Sequence, residues 1–326
     1  MKSYLLDFGF GEGEVFYDVI NDSYIGITVD SNGMVYEIES GLFSRVQRFS
    51  PECEFIDQWS SQSTTEEAFQ TPLEIIADQN NNIYVVDIFN YSVKKFSSNG
   101  LFDSSIFQKP TEADKFWPQG IAFDSENNLF VLDGNNIVLE QRVFDSNEVI
   151  NSFTIREEKT SCAGIVFDNH GYLYISNVTE HQIEKYDPSG EFIEFLGEHG
   201  NSPGKFSFPQ GLAFDSNNHL YVVDQNNNRI QKLTSDGEYI LHWGTKGDHP
   251  GEFNNPRGIA IDKDDNIYIA DSYNHRVQLF SPNGRFLTSI GEYGVAPNMF
   301  RNPYYLCITD DYKLYVSDQN SRIQVF

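Results

Sequence analysis

Cysteine is scarce: three occur in 326 residues, Cys53, Cys162 and Cys307, far apart and with no Cys-x-x-Cys pair. An odd number at such spacing supports neither a disulfide framework nor a thiolate zinc site. Basic residues are also few, 22 Lys plus Arg against 48 Asp plus Glu, for a formal net charge of −26. A field of that sign repels phosphate backbones and anionic lipid, so nucleic acid is not an expected partner. Basic proteins, cations and neutral ligands stay open. No run approaches the roughly 18 consecutive apolar residues of a membrane span. The opening residues, Met1 to Phe8, meet an acid at Asp7 before an apolar run develops, so neither a secretion signal nor membrane insertion is expected. The low thiol count fits a reducing, cytoplasmic setting slightly better than an oxidising one, without fixing a compartment.

What the chain has in abundance is a repeat. Short apolar segments ending in aspartate recur as Gly26-Ile-Thr-Val-Asp30, Glu74-Ile-Ile-Ala-Asp78, Gly120-Ile-Ala-Phe-Asp124, Gly164-Ile-Val-Phe-Asp168, Gly211-Leu-Ala-Phe-Asp215, Gly258-Ile-Ala-Ile-Asp262 and Tyr305-Leu-Cys-Ile-Thr-Asp310. The closing aspartates lie 48, 46, 44, 47, 47 and 48 residues apart. Each is followed by a polar turn and a second apolar run, such as Asn266 to Asp271, then a third and a fourth, such as Arg276 to Phe280 and Arg285 to Ile290. Ile, Val, Tyr and Phe runs broken by Asn-Asn, Asn-Gly and Asp-Gly are hairpin chemistry. The second runs are apolar on both faces, which an open antiparallel sheet would leave half wet. Radially stacked blades cover both faces. The spacing therefore predicts an all-β ring of four-stranded antiparallel blades: a β-propeller of seven blades occupying residues 1–326 as one domain. The last unit stops at Phe326 without a fourth strand, and Tyr4 to Phe8 supplies a matching run, so the N-terminal strand is expected to complete the last blade and close the ring.

The segment from Asn255 to Gly291, with Asp271-Ser-Tyr-Asn-His-Arg-Val-Gln-Leu-Phe280 at its centre, resembles an NHL repeat, and Phe208 to Gly244 is nearly as close. Units four and seven are clear and unit two is good. Units one and three are degenerate, the third carrying Asp133-Gly-Asn-Asn-Ile-Val-Leu-Glu140 where the family has a tighter turn. The resemblance implies a propeller along essentially the whole chain, and it implies little about function, because this repeat serves enzymes, RNA binders and scaffolds alike. Enzymes of the family are expected to hold a metal with histidines around the central channel, and streptogramin lyases, a related propeller class, to use a histidine as base. The seven histidines here, His170, His181, His199, His219, His242, His249 and His275, read as turn and crossing residues rather than channel residues. No Ser-His-Asp or Cys-His set is apparent, so no catalytic residue, metal or cofactor is expected.

Three recurring features read as architecture. Aspartates closing the second strands (Asp87, Asp133, Asp224, Asp271, Asp318), with Arg229 and Arg276 five residues on, are expected to cap their own turns. Asp262-Lys-Asp-Asp-Asn266 resembles a calcium loop but lacks its central Gly and distal Glu, which leaves a solvated hairpin. Phe16, Phe69, Phe116, Phe206, Phe253 and Phe300 share one register in the crossings and are expected to pack between blades.

The candidate site is what varies. Ile25, Leu73, Gln119, Ala163, Gln210, Arg257 and Tyr304 precede the first strands and should ring the channel mouth, yet they are unlike one another. Turn tips Phe43, Phe89, Tyr91 and Tyr273 add exposed aromatics of the kind found at protein-binding hot spots. The sequence thus favours a non-catalytic, acidic interaction module that binds a protein or peptide through its loop face. Two alternatives stand beside it: a lyase or hydrolase with a divalent ion in the channel, and a self-assembling structural subunit of a surface or filament.

Overall fold

The computed structural model describes residues 4–5, 26–40, 44–52, 54–60, 68–106, 118–124, 127–133, 138–142, 149–154, 162–309, 311–319 and 322–326. Its strands form seven four-stranded antiparallel sheets, each hydrogen-bonded in chain order except the last. We number the sheets as blades 1 to 7 by their first strands: Ile27–Val29, Pro72–Ala77, Pro118–Phe123, Cys162–Phe167, Pro209–Phe214, Pro256–Ile261 and Leu306–Ile308. Blade 6 shows the pattern, with Ile267–Asp271, Arg276–Phe280 and Phe286–Ile290 following its first strand. In the last sheet Leu306–Ile308, Leu314–Asp318 and Arg322–Val325 are joined by Tyr4–Leu5, with Tyr4 opposite Val325 and Leu5 opposite Gln324. The chain is an all-β propeller of four-stranded antiparallel blades. Among the described residues no helix is long and apolar enough to cross a membrane.

The second strands carry the core. Leu314–Asp318, Ile83–Asp87 and Leu173–Asn177 are buried at every position. Alternate side chains point to opposite neighbours. In blade 5, Leu220 and Val222 pack toward Tyr174 and Ile183 of blade 4, whereas Tyr221 and Val223 pack toward Ile267 and Ile269 of blade 6. Equivalent clusters occupy the other gaps, and one joins Val35 and Phe49 of blade 1 to Tyr315, Ile323 and Val325 of blade 7. Burial on both faces, at about 1.5–3 kcal/mol per large apolar side chain, explains why these runs do not alternate polar with apolar.

The turns between first and second strands are closed by their own aspartates, whereas the aspartates that end the second strands bond elsewhere. Asp262 Oδ1 accepts the backbone N–H groups of Asp264 and Asn266 at 2.9 and 2.8 Å, and its Oδ2 accepts the Tyr268 hydroxyl at 3.2 Å. The carboxylate is spent on its own hairpin, though it is buried, 5% exposed, rather than solvated as the sequence suggests. Asp271 does not cap the backbone of its own turn as expected: its carboxylate accepts the Asn254 N–H of the preceding crossing at 2.7 Å, with side-chain donors from Asn274, Arg276 and Gln278. Asp224 repeats that set with Ser207, Asn227, Arg229 and Gln231. Phe206, Phe253 and Phe300 are fully buried and Phe69 nearly so. Phe16, Phe116 and the unit-three turn at 134–137 lie outside the described residues.

Candidate functional site

Five first strands open with a register shift against their partner, and this sets the channel lining. In blade 6 Pro256 pairs with Asp271 but the next pair is Ile259 with Ile269, so Arg257 and Gly258 form a bulge. Blade 5 does the same around Gln210 and Gly211. Blade 2 shifts between Pro72 and Glu74. A bulge bends the strand and re-aims its side chains. The expected mouth residues Leu73, Gln210 and Arg257 therefore lie within the first strands rather than before them, while Tyr304 does precede Leu306–Ile308.

These four residues, from four blades, line one cavity of about 430 Å³ together with Glu74, Ala163 and Tyr305. Ile88 and Val178, just beyond second strands, also line it, so it opens on the face that carries the second-to-third-strand turns. Gln119 lies on the first strand of blade 3. Ile25 and Phe43 lie outside the described residues.

Two lining residues, Glu74 and Tyr305, were not singled out by the sequence reading, although the repeat marks them. Blades 1, 3, 4, 5 and 6 carry glycine at their position: Gly26, Gly120, Gly164, Gly211 and Gly258. The glycines are there because the inner edges of adjacent blades nearly touch. A Cβ on Gly258 would sit 2.3 Å from the Tyr304 carbonyl oxygen, and one on Gly211 would sit 2.8 Å from that of Arg257. At blade 2 the Glu74 side chain crosses this gap, and its Oε2 accepts the Ile121 N–H of blade 3 at 3.0 Å. Burial pushes the Glu74 carboxyl up to about 7, against the opposing pull of that N–H.

Arg257 is the cation of the cavity. Its guanidinium carbon lies 4.5 Å from the Tyr304 ring centroid, and the Tyr304 and Tyr305 rings are 4.8 Å apart. Its Nε is buried with no hydrogen-bond partner. Arg229 and Arg276, by contrast, pair with Asp224 and Asp271 at 2.7 and 2.8 Å. Among the described residues Arg257 has no carboxylate partner, which stands out in a chain with 48 acids.

The turn tips are dispersed more than the cavity residues. Phe89 and Tyr273 are exposed, and Tyr91 is partly buried in a left-handed conformation at φ 53°. Tyr91 packs against the apolar cluster between blades 2 and 3. Equivalent turns place His181 and His275, whose Nδ1 atoms accept the N–H groups of Phe208 and Asn302 at 3.1 and 3.2 Å. Those imidazoles join one blade to the next, and burial holds both below the usual histidine range. His219 and His242 lie in strands, not in turns as the sequence suggested. Among the described residues, Asp248, His249 and Glu252 bring three possible metal ligands within 4.8 Å of one another, and none of the three lines the cavity.

Residues 206–233 and 253–280 match the NHL repeat model. Among solved structures, a streptogramin B lyase is similar with a TM-score of 0.74 and 16% identity, over 99% of this chain and 97% of its own. A catalytically inactive virginiamycin B lyase from Staphylococcus aureus, with quinupristin, gives 0.74 and 13% over 99% and 98%. A Kuenenia stuttgartiensis hydrazine synthase gives 0.71 and 12% over 98% and 99%. Comparison with curated protein sequences gives no match. At such identities the likeness is one of fold alone. The chain is thus a β-propeller of four-stranded blades in which blades 5 and 6 carry NHL repeats.

Proposed function

We propose that the protein is a non-catalytic binding module that grips a peptide or protein segment at the channel mouth on its loop face. The reading rests above all on Arg257, a cation whose buried Nε has no partner inside a cavity lined from several blades. Leaving such a donor unsatisfied costs about 1–3 kcal/mol, which an acceptor on a bound partner recovers. Leu73 supplies apolar surface, Gln210 an amide and Tyr304 an aromatic wall, while Phe89 and Tyr273 extend the surface outward. A rigid ring suits this role, and in this reading seven blades are held shut by pairing of the N-terminal strand with Arg322–Val325. Affinity capture with the wild type and with Arg257→Ala plus Tyr304→Ala tests it. Partners retained by the wild type and lost by the variant support the reading, and identical capture by both removes it.

A lyase is the second reading, favoured by one observation: Glu74 is a carboxyl in the cavity with its pKa raised to about 7, the range of a general base. Linearisation of quinupristin by the wild type, lost in Glu74→Gln, would establish it.

A further inference from the structure

The polar groups of the channel cavity are held in a way unlike those elsewhere in the ring. Asp224 and Asp271 each accept several donors, and the arginines beside them are fully engaged with carboxylate and backbone oxygens. Arg257 makes no such pair among the described residues. The Tyr304 ring lies against its guanidinium, with Cζ 4.5 Å from the ring centroid. The planar edge of a guanidinium, not its face, is where a carboxylate docks with two parallel hydrogen bonds. The buried Nε belongs to that edge.

We propose that the cavity recognises a carboxylate carried by a peptide, seated edge-on against Arg257 beside the Tyr304 and Tyr305 rings; this rests on the binding-module reading above. Three observations select that ligand. The unpartnered donor calls for an acceptor, and a carboxylate is the acceptor that answers both the charge and the shape of the fork. Glu74 in the same cavity opposes a dianion such as a phosphate more than it opposes a single charge. The volume of about 430 Å³, with walls that include Leu73, Ile88, Val178 and Leu212, is far larger than a lone ion needs and accepts an apolar side chain next to the charge.

The test is selection of a random-peptide library on the immobilised full chain, followed by calorimetry on the tightest binder. That peptide is measured as selected, as its C-terminal amide, and with each Asp or Glu replaced by Asn or Gln. The expected result is a loss of about tenfold or more for one of these neutralisations. Arg257→Gln should weaken the original peptide to a similar degree, with little further loss when both changes are combined. Arg257→Lys should fall between, since it keeps the charge and loses the fork. Thermal melting of each variant checks that the fold is kept. A terminal amide that alone abolishes the advantage assigns the site to a chain terminus, and a side-chain amide assigns it to an acidic residue. Binders indifferent to every neutralisation, or unaffected by Arg257→Gln, overturn the carboxylate assignment and leave the binding module standing. Failure to select any binder removes both.

Discussion

Glu74 of blade 2 reaches across to blade 3 and accepts the Ile121 backbone N–H at 3.0 Å, at a position where five other blades carry glycine. Its carboxyl is raised to about 7 by burial, so it gains negative charge as pH rises through neutrality. An anionic ligand in the cavity is then repelled. Affinity for such a ligand should increase as pH falls from about 8 to 6, and Glu74→Gln should flatten the profile. Titration calorimetry at several pH values, read as the difference between wild type and variant, separates Glu74 from other titrating groups. Parallel profiles would exclude it.

The inner glycines are not interchangeable. At Gly258 an added Cβ meets the Tyr304 carbonyl oxygen at 2.3 Å, whereas at Gly120 its nearest neighbour is Ile165 at 3.5 Å. Gly258→Ala should therefore destabilise by about 1–3 kcal/mol through overpacking of backbone on backbone. Gly120→Ala should be neutral or slightly stabilising, because it restricts the unfolded chain more than it strains the folded one. Urea unfolding of the two variants decides the matter, and equal effects would refute the close-approach argument.

Glu37 occupies the third place of its second strand, where the other blades have Val85, Val131, Ile175, Val222, Ile269 and Val316. It is 1% exposed and its Oε2 has no hydrogen-bond partner. Burial, with Glu39 and Asp318 adding to it, raises its carboxyl to about 8 against an opposing pull from Arg45. The unfolded chain loses this proton near pH 4.5 and the folded chain near 8, so stability should fall as pH rises across that window. Glu37→Val should raise stability at pH 8 by about 1–3 kcal/mol and remove that part of the slope. Calorimetric melting at pH 5 and pH 8 tests the sign. A variant less stable than wild type at pH 8 would show that Glu37 has a favourable role.

The aspartates that close the second strands hold crossings to blades. Asp271 is fully buried and pairs with Arg276 at 2.8 Å. Asp271→Ala leaves that arginine without its carboxylate and should cost about 3–5 kcal/mol, with a large drop in melting temperature. Should the aspartates instead be ligand groups, the loss would fall on binding and spare the melt.

Tyr4–Leu5 pairs with the strand Arg322–Val325. If that pairing locks the ring, removing residues 1–8 should lower the melting temperature of the whole molecule in one cooperative step. An unchanged melt would sink the idea of an N-terminal latch and assign closure to the apolar seam of Val35, Phe49, Tyr315, Ile323 and Val325.

Much of the blade was legible because its determinants are local and repeated. Asp262 and its equivalents mark hairpins, and runs such as Ile267 to Asp271 show burial on both faces by refusing to alternate. The mouth was half legible. Leu73, Gln210, Arg257 and Tyr304 were identifiable as variable residues at a repeated position, but the direction of Arg257 depends on a bulge opposite Ala270 that no residue type announces. Glu74 and Tyr305 are inconspicuous in the sequence for the opposite reason: a repeat is defined by what recurs, and their meaning lies in failing to be glycine. Tyr91 reads as an exposed tip from its place in a turn, yet the gap between two blades draws its ring inward.

The glycines leave one inner position bare at five blades, and the side chains of Glu74 and Tyr305 at that position add to the asymmetry that Leu73, Gln210, Arg257 and Tyr304 already give the mouth. If the channel takes a guest as proposed, that guest would not face several equivalent orientations. Acid stands at blade 2, cation at blade 6 and aromatic rings at blade 7, so on the proposed binding reading the opening would be a keyed socket with a single register.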